Sequence, residues 1–215
     1  DVMGVDTVRD DEAPESNSKN AIVVYRPFQS MKELSGLPVA IYHNRPSSLT
    51  TFFQHAMLIS MHYNCMTLVE EINKMFGDYY IDNGCARLLA WRPTILNESG
   101  SKAQNRWGVK PNSAVAQSVS LSYAVEETKD NVQNHVFEQL IDELIKAYGN
   151  INTDLADAYR WAILQAKEMV RVKKSEDQKG QERTKKKKIT PFLKMVNGQL
   201  MTVKTETDIQ RYKRA

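Results

Sequence analysis

Short apolar runs separated by polar stretches open the chain, which predicts strands near its start. Three runs rich in β-branched or apolar residues are Asp1–Asp6, Ala21–Tyr25 and Leu37–His43. The polar stretch after Asp6 is predicted to be a loop, and Pro27 ends the second run. Because successive strands joined by loops can pair as a meander, we expect these three to form an antiparallel sheet.

A helix is predicted to connect this meander to a fourth strand. Leu49–Tyr63 has apolar residues at helical spacing, and Ser47 and Ser48 precede it as candidate caps. The chain then returns to a strand pattern at Met66–Glu70. A strand, a helix and a further strand make a crossover connection, so Met66–Glu70 is predicted to lie parallel to the first strand.

Helical periodicity dominates the remainder of the apolar pattern. The predicted elements after Glu70 are a helix at Ile72–Tyr80, a strand at Arg87–Trp91, and helices at Ser113–Thr128, Val132–Tyr148 and Asp154–Val172. The predicted fold class is therefore α/β, with a mixed sheet that combines an antiparallel meander and parallel strands and is flanked by helices.

The charge is distributed unevenly along the 215 residues. From Arg171 onward there are 14 of the 29 basic but 5 of the 26 acidic residues, which leaves 15 basic and 21 acidic residues before it. We predict one domain over 1–172 and a basic tail over 173–215. The composition of 173–188 predicts disorder, and 190–203 has enough apolar residues for a small hairpin around Asn197-Gly198. The tail is interpreted as solvated, partner-binding or phosphate-binding.

Several classes of protein are disfavoured by the composition. The chain has no apolar run near the roughly 18 to 20 residues of a membrane span and no signal peptide pattern. Cys65 and Cys85 lack the spacing of a zinc site, which favours free thiols in a reducing compartment. Because the chain enters a strand directly at Asp1-Val2, an upstream domain is also predicted.

Four carboxylates are the candidate catalytic residues. Asp6 and Glu70 each close a predicted strand, and Asp154 and Asp157 open the last helix. A buried strand can deliver an oxygen ligand to the rim of a sheet, and Mg²⁺ and Mn²⁺ prefer such hard oxygen ligands. The order of the acids indicates a two-metal phosphodiesterase, although each acid alone has an ordinary structural interpretation, such as a helix N-cap at Asp154.

The loop predicted at Thr94–Asn112 is a candidate nucleic-acid contact. Basic residues Lys102, Arg106 and Lys110 surround Trp107 there, and interleaved basic and aromatic side chains suit binding to a phosphate backbone. Packing of Trp107 on the core is an equally good interpretation. The four histidines show no metal-ligand spacing and are interpreted as structural.

These motifs together resemble the nuclease domain of the large terminase subunit of tailed phages, which has a ribonuclease H-like fold. The resemblance covers about residues 1–170 and rests on four segments: GVD at 4–6, YHNRP at 42–46, HYNCMTLVEEIN at 62–73 and NxDxxDAxRxA at 152–162. It implies that Asp6 and Glu70 are metal ligands. The third ligand falls on Asp154 in one family pattern and on Asp157 in another, and this chain has an acid at both positions.

The resemblance also implies an activity and partners. The chain would be a Mg²⁺- or Mn²⁺-dependent endodeoxyribonuclease that cuts concatemeric double-stranded viral DNA during genome packaging, using two ions bound by Asp6, Glu70, Asp154 and Asp157. Expected partners are an upstream ATPase domain of the same polypeptide, the portal protein and the small terminase subunit, in the host cytoplasm. No Walker A motif is present in these residues.

Two other interpretations remain open from the sequence. One keeps the fold and makes the chain a Holliday-junction resolvase or another ribonuclease H-like nuclease. The other makes it a non-catalytic module that binds nucleic acid or capsid, with structural acids and a basic tail that does the binding.

Overall fold

A computed structural model of the chain describes residues 1–8, 18–28, 34–70, 74–96, 107–110, 113–147, 153–186, 192–196 and 199–203. The chain divides into two units, residues 1–169 and residues 170–215. The first unit is an α/β arrangement built on a four-stranded mixed sheet with helices on both faces. The predicted α/β class with a mixed sheet is confirmed at this level.

The sheet has the strand order β3-β2-β1-β4. Its strands are β1 (Val2–Asp6), β2 (Asn20–Arg26), β3 (Leu37–Asn44) and β4 (Met66–Val69). The pairs β1–β2 and β2–β3 are antiparallel, as expected for a meander, and β1–β4 is parallel, as expected for a crossover. Strand β1 is therefore hydrogen-bonded on both sides.

Two helices cover one face of the sheet. They are α1 (Leu49–His62), whose N-cap Ser48 accepts from the amide of Thr51, and α2 (Met75–Asp82). Met3, Val5, Ile22 and Val24 alternate towards this face, where they pack against Phe52, Phe53, Phe76 and Tyr80. Successive side chains of a strand point to opposite faces of the sheet, so the residues between these four point to the other face and pack in a second core.

The opposite face carries α3 (Ala114–Asn131), α4 (Glu138–Lys146) and the first part of α5, whose full bounds are Asp154–Lys186. The second core joins Val2, Ala21, Val23 and Tyr25 of the sheet to Leu140, Leu155 and Tyr159 of the helices. Gly4 is essential to this contact because a Cβ there would overlap the carbonyl oxygen of Ala158 and the amide nitrogen of Ala162. The absence of a side chain lets α5 lie directly against the central strand.

Two predicted elements differ from the structure. Arg87–Trp91 is not a strand: Ala86–Leu88 forms a 3-10 turn, and only isolated bridges at Leu89 and Trp91 follow. The apolar run fills the core from consecutive positions, Leu88 to Ala90, rather than from alternating ones, so its periodicity was misleading.

The helix predicted at Val132–Tyr148 is interrupted. A 3-10 turn at Val132–Asn134 is followed by extended backbone at His135 and Phe137, and α4 begins only at Glu138. The break buries the His135 ring beside Tyr159, with their ring centroids 5.5 Å apart. Burial lowers the pKa of His135, so this histidine belongs to the core.

The second unit contains a two-stranded antiparallel sheet, β5 (Phe192–Val196) and β6 (Gln199–Val203). These strands lie in the region where the sequence predicts a hairpin. Helix α5 continues to Lys186, beyond the predicted domain boundary at 172. In the described part of the chain, no helix has both the length and the apolar character that crossing a membrane requires.

Candidate active site

Asp6 and Glu70 lie side by side at one edge of the sheet. Asp6 is the last residue of β1, and Glu70 directly follows β4. The parallel register pairs Val5 with Val69, and the amide of Glu70 donates to the carbonyl oxygen of Val5 at 3.1 Å. Neighbouring residues in paired parallel strands point to the same face, so both carboxylates face α5.

The two strand carboxyl groups are hydrogen-bonded to each other in a nearly buried setting. Glu70 is 8% exposed. Burial, and then the hydrogen bond and negative charge of Glu70, raise the pKa of Asp6 well above its ordinary value. This arrangement stores repulsion that a bound cation would relieve.

The start of α5 brings the other two predicted acids to the same place. The negative charges of Asp157 and Asp154 also raise the pKa of Asp6. The contact at Gly4 explains this meeting, because it fixes the first turns of α5 against the end of β1 that carries Asp6. The structure thus brings together Asp6, Glu70, Asp154 and Asp157.

Asp154 is held by the chain segments around it. It is 4% exposed, and its Oδ1 accepts from the hydroxyl of Ser18 at 2.9 Å. Its Oδ2 accepts from the amide of Lys19 at 2.8 Å and lies 3.5 Å from Nε2 of His43. Both oxygens of this carboxylate therefore already have partners within the protein.

Asp157 is more open. Its side chain is 32% exposed and pairs through one oxygen with Arg160, which also donates to Oε1 of Gln117 at 3.0 Å. Partial burial raises the pKa of Asp157 to about 6, with Arg160 opposing and Glu70 and Asp154 reinforcing the shift. Of the two helix acids, Asp157 has the freer carboxylate.

Glu143 is a residue of this site that the sequence reading missed. Its Oε2 accepts from the amides of Leu155 at 2.8 Å and Ala156 at 3.3 Å, so it caps the first turn of α5 from α4. Its Oε1 lies 3.7 Å from Nδ1 of His43, which places the imidazole between Glu143 and Asp154. Burial raises the pKa of Glu143, although both amides oppose the shift.

His43 could have been placed from strand register alone. It pairs with Ala21, which in turn pairs with Asp6, so the three share one edge and one face of the sheet. Nothing in the spacing of Glu143 indicates its role, because it reaches α5 from a separate helix.

The predicted DNA-contacting residues are only partly described. Lys110 is exposed and directly follows Val109, which bridges Glu70 in parallel. It therefore lies at the edge that carries the acids. Lys102 and Arg106 lie outside the described residues.

The donor set suits a hard divalent cation in its chemistry but is not arranged as a finished metal site. Within the described ranges, no group of three or more histidine, cysteine, aspartate or glutamate side chains has the arrangement of a metal-binding group. Asp6 is bonded to Glu70, and Asp157 is paired with Arg160. Binding of a cation by these oxygens requires Asp6, whose pKa is raised, to be ionised, and requires release of Asp157 from Arg160.

Comparison with known proteins found no match to this chain among protein-family models, curated proteins or solved structures. The functional argument therefore depends on the site itself.

Replacing Glu143 with alanine tests the cap described above. We expect Glu143→Ala to lower the free energy of unfolding by about 1–3 kcal/mol, because two amides at the start of α5 lose a buried acceptor. Chemical denaturation of the variant measures this loss. Glu138→Ala, on the exposed surface of the same helix, is the control and should change stability by less than about 0.5 kcal/mol. Equal stability of both variants would contradict the capping role.

Proposed function

We propose that this chain is a metal-dependent endodeoxyribonuclease with a ribonuclease H-like fold, and that it acts as the nuclease domain of a tailed-phage terminase large subunit. The observation that carries the proposal is that the start of α5, which bears Asp154 and Asp157, packs against the end of β1 beside Asp6 and Glu70. The strand order β3-β2-β1-β4, with a parallel fourth strand, is compatible with this fold.

The proposed roles of the acids follow from their surroundings. Asp6 and Glu70 would hold the cations, since they are adjacent, Glu70 is buried and Asp6 half-buried, and the charge of Glu70 opposes ionisation of Asp6. Asp157 is the proposed third ligand because its carboxylate is the more open of the two on α5. Asp154 would instead fix the start of α5 to the segment before β2, through Ser18 and Lys19.

The reaction proposed for this site is hydrolysis of a phosphodiester. An oxygen of water forms a bond to phosphorus while the bond to the 3′ oxygen breaks, and that oxygen takes up a proton to leave a 3′-hydroxyl. Mg²⁺ or Mn²⁺ held by Asp6, Glu70 and Asp157 would supply a water of lowered pKa and would stabilise charge on the leaving oxygen. The chain contributes the fixed strand carboxylates and Lys110, whose exposed ammonium favours the approach of a phosphate backbone.

The biological setting belongs to the same proposal. The substrate would be concatemeric double-stranded viral DNA, cut in the host cytoplasm during packaging. An ATPase domain, a portal protein and a small terminase subunit would bring the DNA to the site.

Plasmid cleavage tests the proposed activity. We expect the purified chain to nick and linearise supercoiled plasmid with Mg²⁺ or Mn²⁺ and to leave it intact with EDTA, because the acids need a cation to act on a phosphodiester. A synthetic four-way junction beside a linear duplex of the same sequence separates a resolvase from a general endonuclease.

Failure to cut any of these DNAs with either metal would overturn the proposal for the isolated chain. DNA binding that then disappears when residues 171–215 are removed would favour the non-catalytic binding module.

A further inference from the structure

A stacked pair of tryptophans lies next to the edge that carries Asp6 and Glu70. The ring centroids of Trp91 and Trp107 are 3.9 Å apart, and their planes make an angle of 24°. Their backbones form an antiparallel bridge. The amide of Gly108, the neighbour of Trp107, also donates to the carbonyl oxygen of Ala90 at 3.2 Å.

The two rings have different surroundings. Trp107 is partly buried against the α1/α2 core, and its Cδ1 lies 3.5 Å from the position that a Cβ on Gly77 would take. Trp91 is 50% exposed although it is one of the largest apolar side chains. The inner ring therefore supports the outer one, and the outer ring presents apolar surface to solvent.

This pair is tied to the catalytic edge through the backbone. Val109 lies beside β4. Its amide donates to the carbonyl oxygen of Val69 at 2.9 Å, and its backbone forms a parallel bridge with Glu70. Gly108 has a φ of +72°, and a Cβ there would overlap the carbonyl oxygen of Val69. The segment that positions Trp107 is thus fixed one strand position away from Glu70.

Basic residues lie close in sequence to both rings. Arg92 follows Trp91 directly, and Lys110 follows Trp107 by three residues. Exposed Lys74 directly precedes α2 and lies one turn before Gly77, where Trp107 packs. Among the described residues, Asp78 is the one acid in the first turn of α2. An aromatic platform flanked by cations complements a phosphate backbone with an accessible base.

We propose that Trp91 is a base-stacking platform for an unpaired nucleotide, and that the exposed Lys74 and Lys110 bind the phosphates beside it. The proposal rests on the proposed nuclease function for its biological meaning. Trp107, on which Trp91 stacks, packs against the α1/α2 core, whereas the Asp6 and Glu70 carboxylates face α5. A DNA strand that crosses this edge of the sheet would contact the Trp91 ring with a base that is turned out of the base stack. The preferred substrate would then be frayed or single-stranded next to the cut.

Binding without divalent metal tests this surface separately from cleavage. Fluorescence anisotropy in EDTA, at one fixed salt concentration, would compare a labelled 12-nucleotide single strand with a blunt 12-base-pair duplex. We expect Trp91→Leu, which keeps an apolar contact with Trp107 but has no π face, to weaken single-strand binding by about 10-fold. Duplex binding should change by less than about 2-fold.

Two control variants distinguish stacking on an aromatic ring from a general effect of losing a large exposed side chain. Trp91→Phe retains a ring and should stay within about 3-fold of wild type, whereas Phe28→Ala, 68% exposed at the end of β2, should not change binding. Single-strand binding by Trp91→Leu at the wild-type level would overturn the proposal, and so would an equal loss in Trp91→Phe.

Quenching of wild-type tryptophan fluorescence by oligo(dT) needs no variant and gives a second measurement. A base stacked on Trp91 should quench the emission, and unchanged emission at saturating oligonucleotide would overturn the proposal. If the chain does not cleave plasmid but Trp91→Leu loses single-strand binding, the base-stacking proposal is supported and the nuclease proposal is not. If the chain cleaves plasmid and single-strand binding by Trp91→Leu is unchanged, the nuclease proposal is supported and the base-stacking proposal is overturned.

Discussion

Asp6→Asn is expected to reduce plasmid cleavage by more than about 100-fold, which exceeds the loss usual for groups that only support a metal ligand. The physical reason is that Asp6 lies at the centre of the cluster, where it is hydrogen-bonded to Glu70 and within electrostatic range of both helix acids. Asparagine retains the shape of the side chain but cannot supply the negative charge. Initial cleavage rates at saturating Mn²⁺ measure the effect.

The same substitution should stabilise the metal-free protein. At pH 8, where ionisation of both carboxylates is most favoured, removing one of them relieves repulsion, and we expect the melting temperature to rise by about 2–4 °C, which corresponds to roughly 1 kcal/mol. Asp82→Asn, at the exposed end of α2, is the matched control and should change neither cleavage nor melting. Cleavage near the wild-type rate in Asp6→Asn would refute the assigned role of this residue.

The pH dependence of melting provides a further readout of the Asp6→Asn experiment. Asp6 has a raised pKa, and the pKa of Asp157 is about 6 against an ordinary value of 3.8. A carboxyl whose pKa is higher in the folded state binds its proton more tightly there, so its contribution to stability decreases as the pH rises through that value. Metal-free wild type should therefore melt at a lower temperature at pH 8 than at pH 5.5, and this difference should be smaller in Asp6→Asn.

Gly4→Ala is expected to cause the largest loss of stability, more than about 3 kcal/mol, which is at the upper end for overpacking. The new Cβ would overlap the backbone of α5 at Ala158 and Ala162, and backbone atoms cannot move aside as a flexible side chain can. Urea denaturation measures the change. Cleavage should fall with it, because displacement of α5 separates Asp157 from Asp6.

Gly84→Ala is the control for the glycine substitution itself. Gly84 has a φ of +70° but no atom within 4 Å of an added Cβ, so its cost is conformational, about 1–2 kcal/mol. A smaller loss in Gly4→Ala than in Gly84→Ala would show that α5 does not depend on this close contact.

The central sheet was predictable because its signals are local. The runs at β1, β2, β3 and β4 are apolar enough to be recognised as strands, and the helix between β3 and β4 indicates the parallel return. The approach of Asp6 to Glu70 then follows from the parallel register.

The remaining parts of the site depend on contacts between distant segments. Glu143 contacts α5 from another helix, and Ser18 and Lys19 reach Asp154 across more than 130 residues of sequence. The periodicity of apolar residues along the chain does not predict such long-range contacts. The stacking of Trp91 on Trp107 was likewise not predictable from the sequence. Trp91 lies in an apolar run that resembles a strand but forms a 3-10 turn followed by isolated bridges.

The two halves of the acidic cluster differ in how they are anchored. The backbones at Asp6 and Glu70 belong to the main-chain hydrogen bonds that join the central strand β1 to its neighbours. Asp154 and Asp157 stand on a helix start that is secured through side chains, those of Glu143 and Asp154 itself. Main-chain ladders in a core open only with global unfolding, whereas a helix end opens at lower free energy. The strand pair is thus the stationary half of the cluster, and any adjustment to an incoming cation would be made by the first turn of α5.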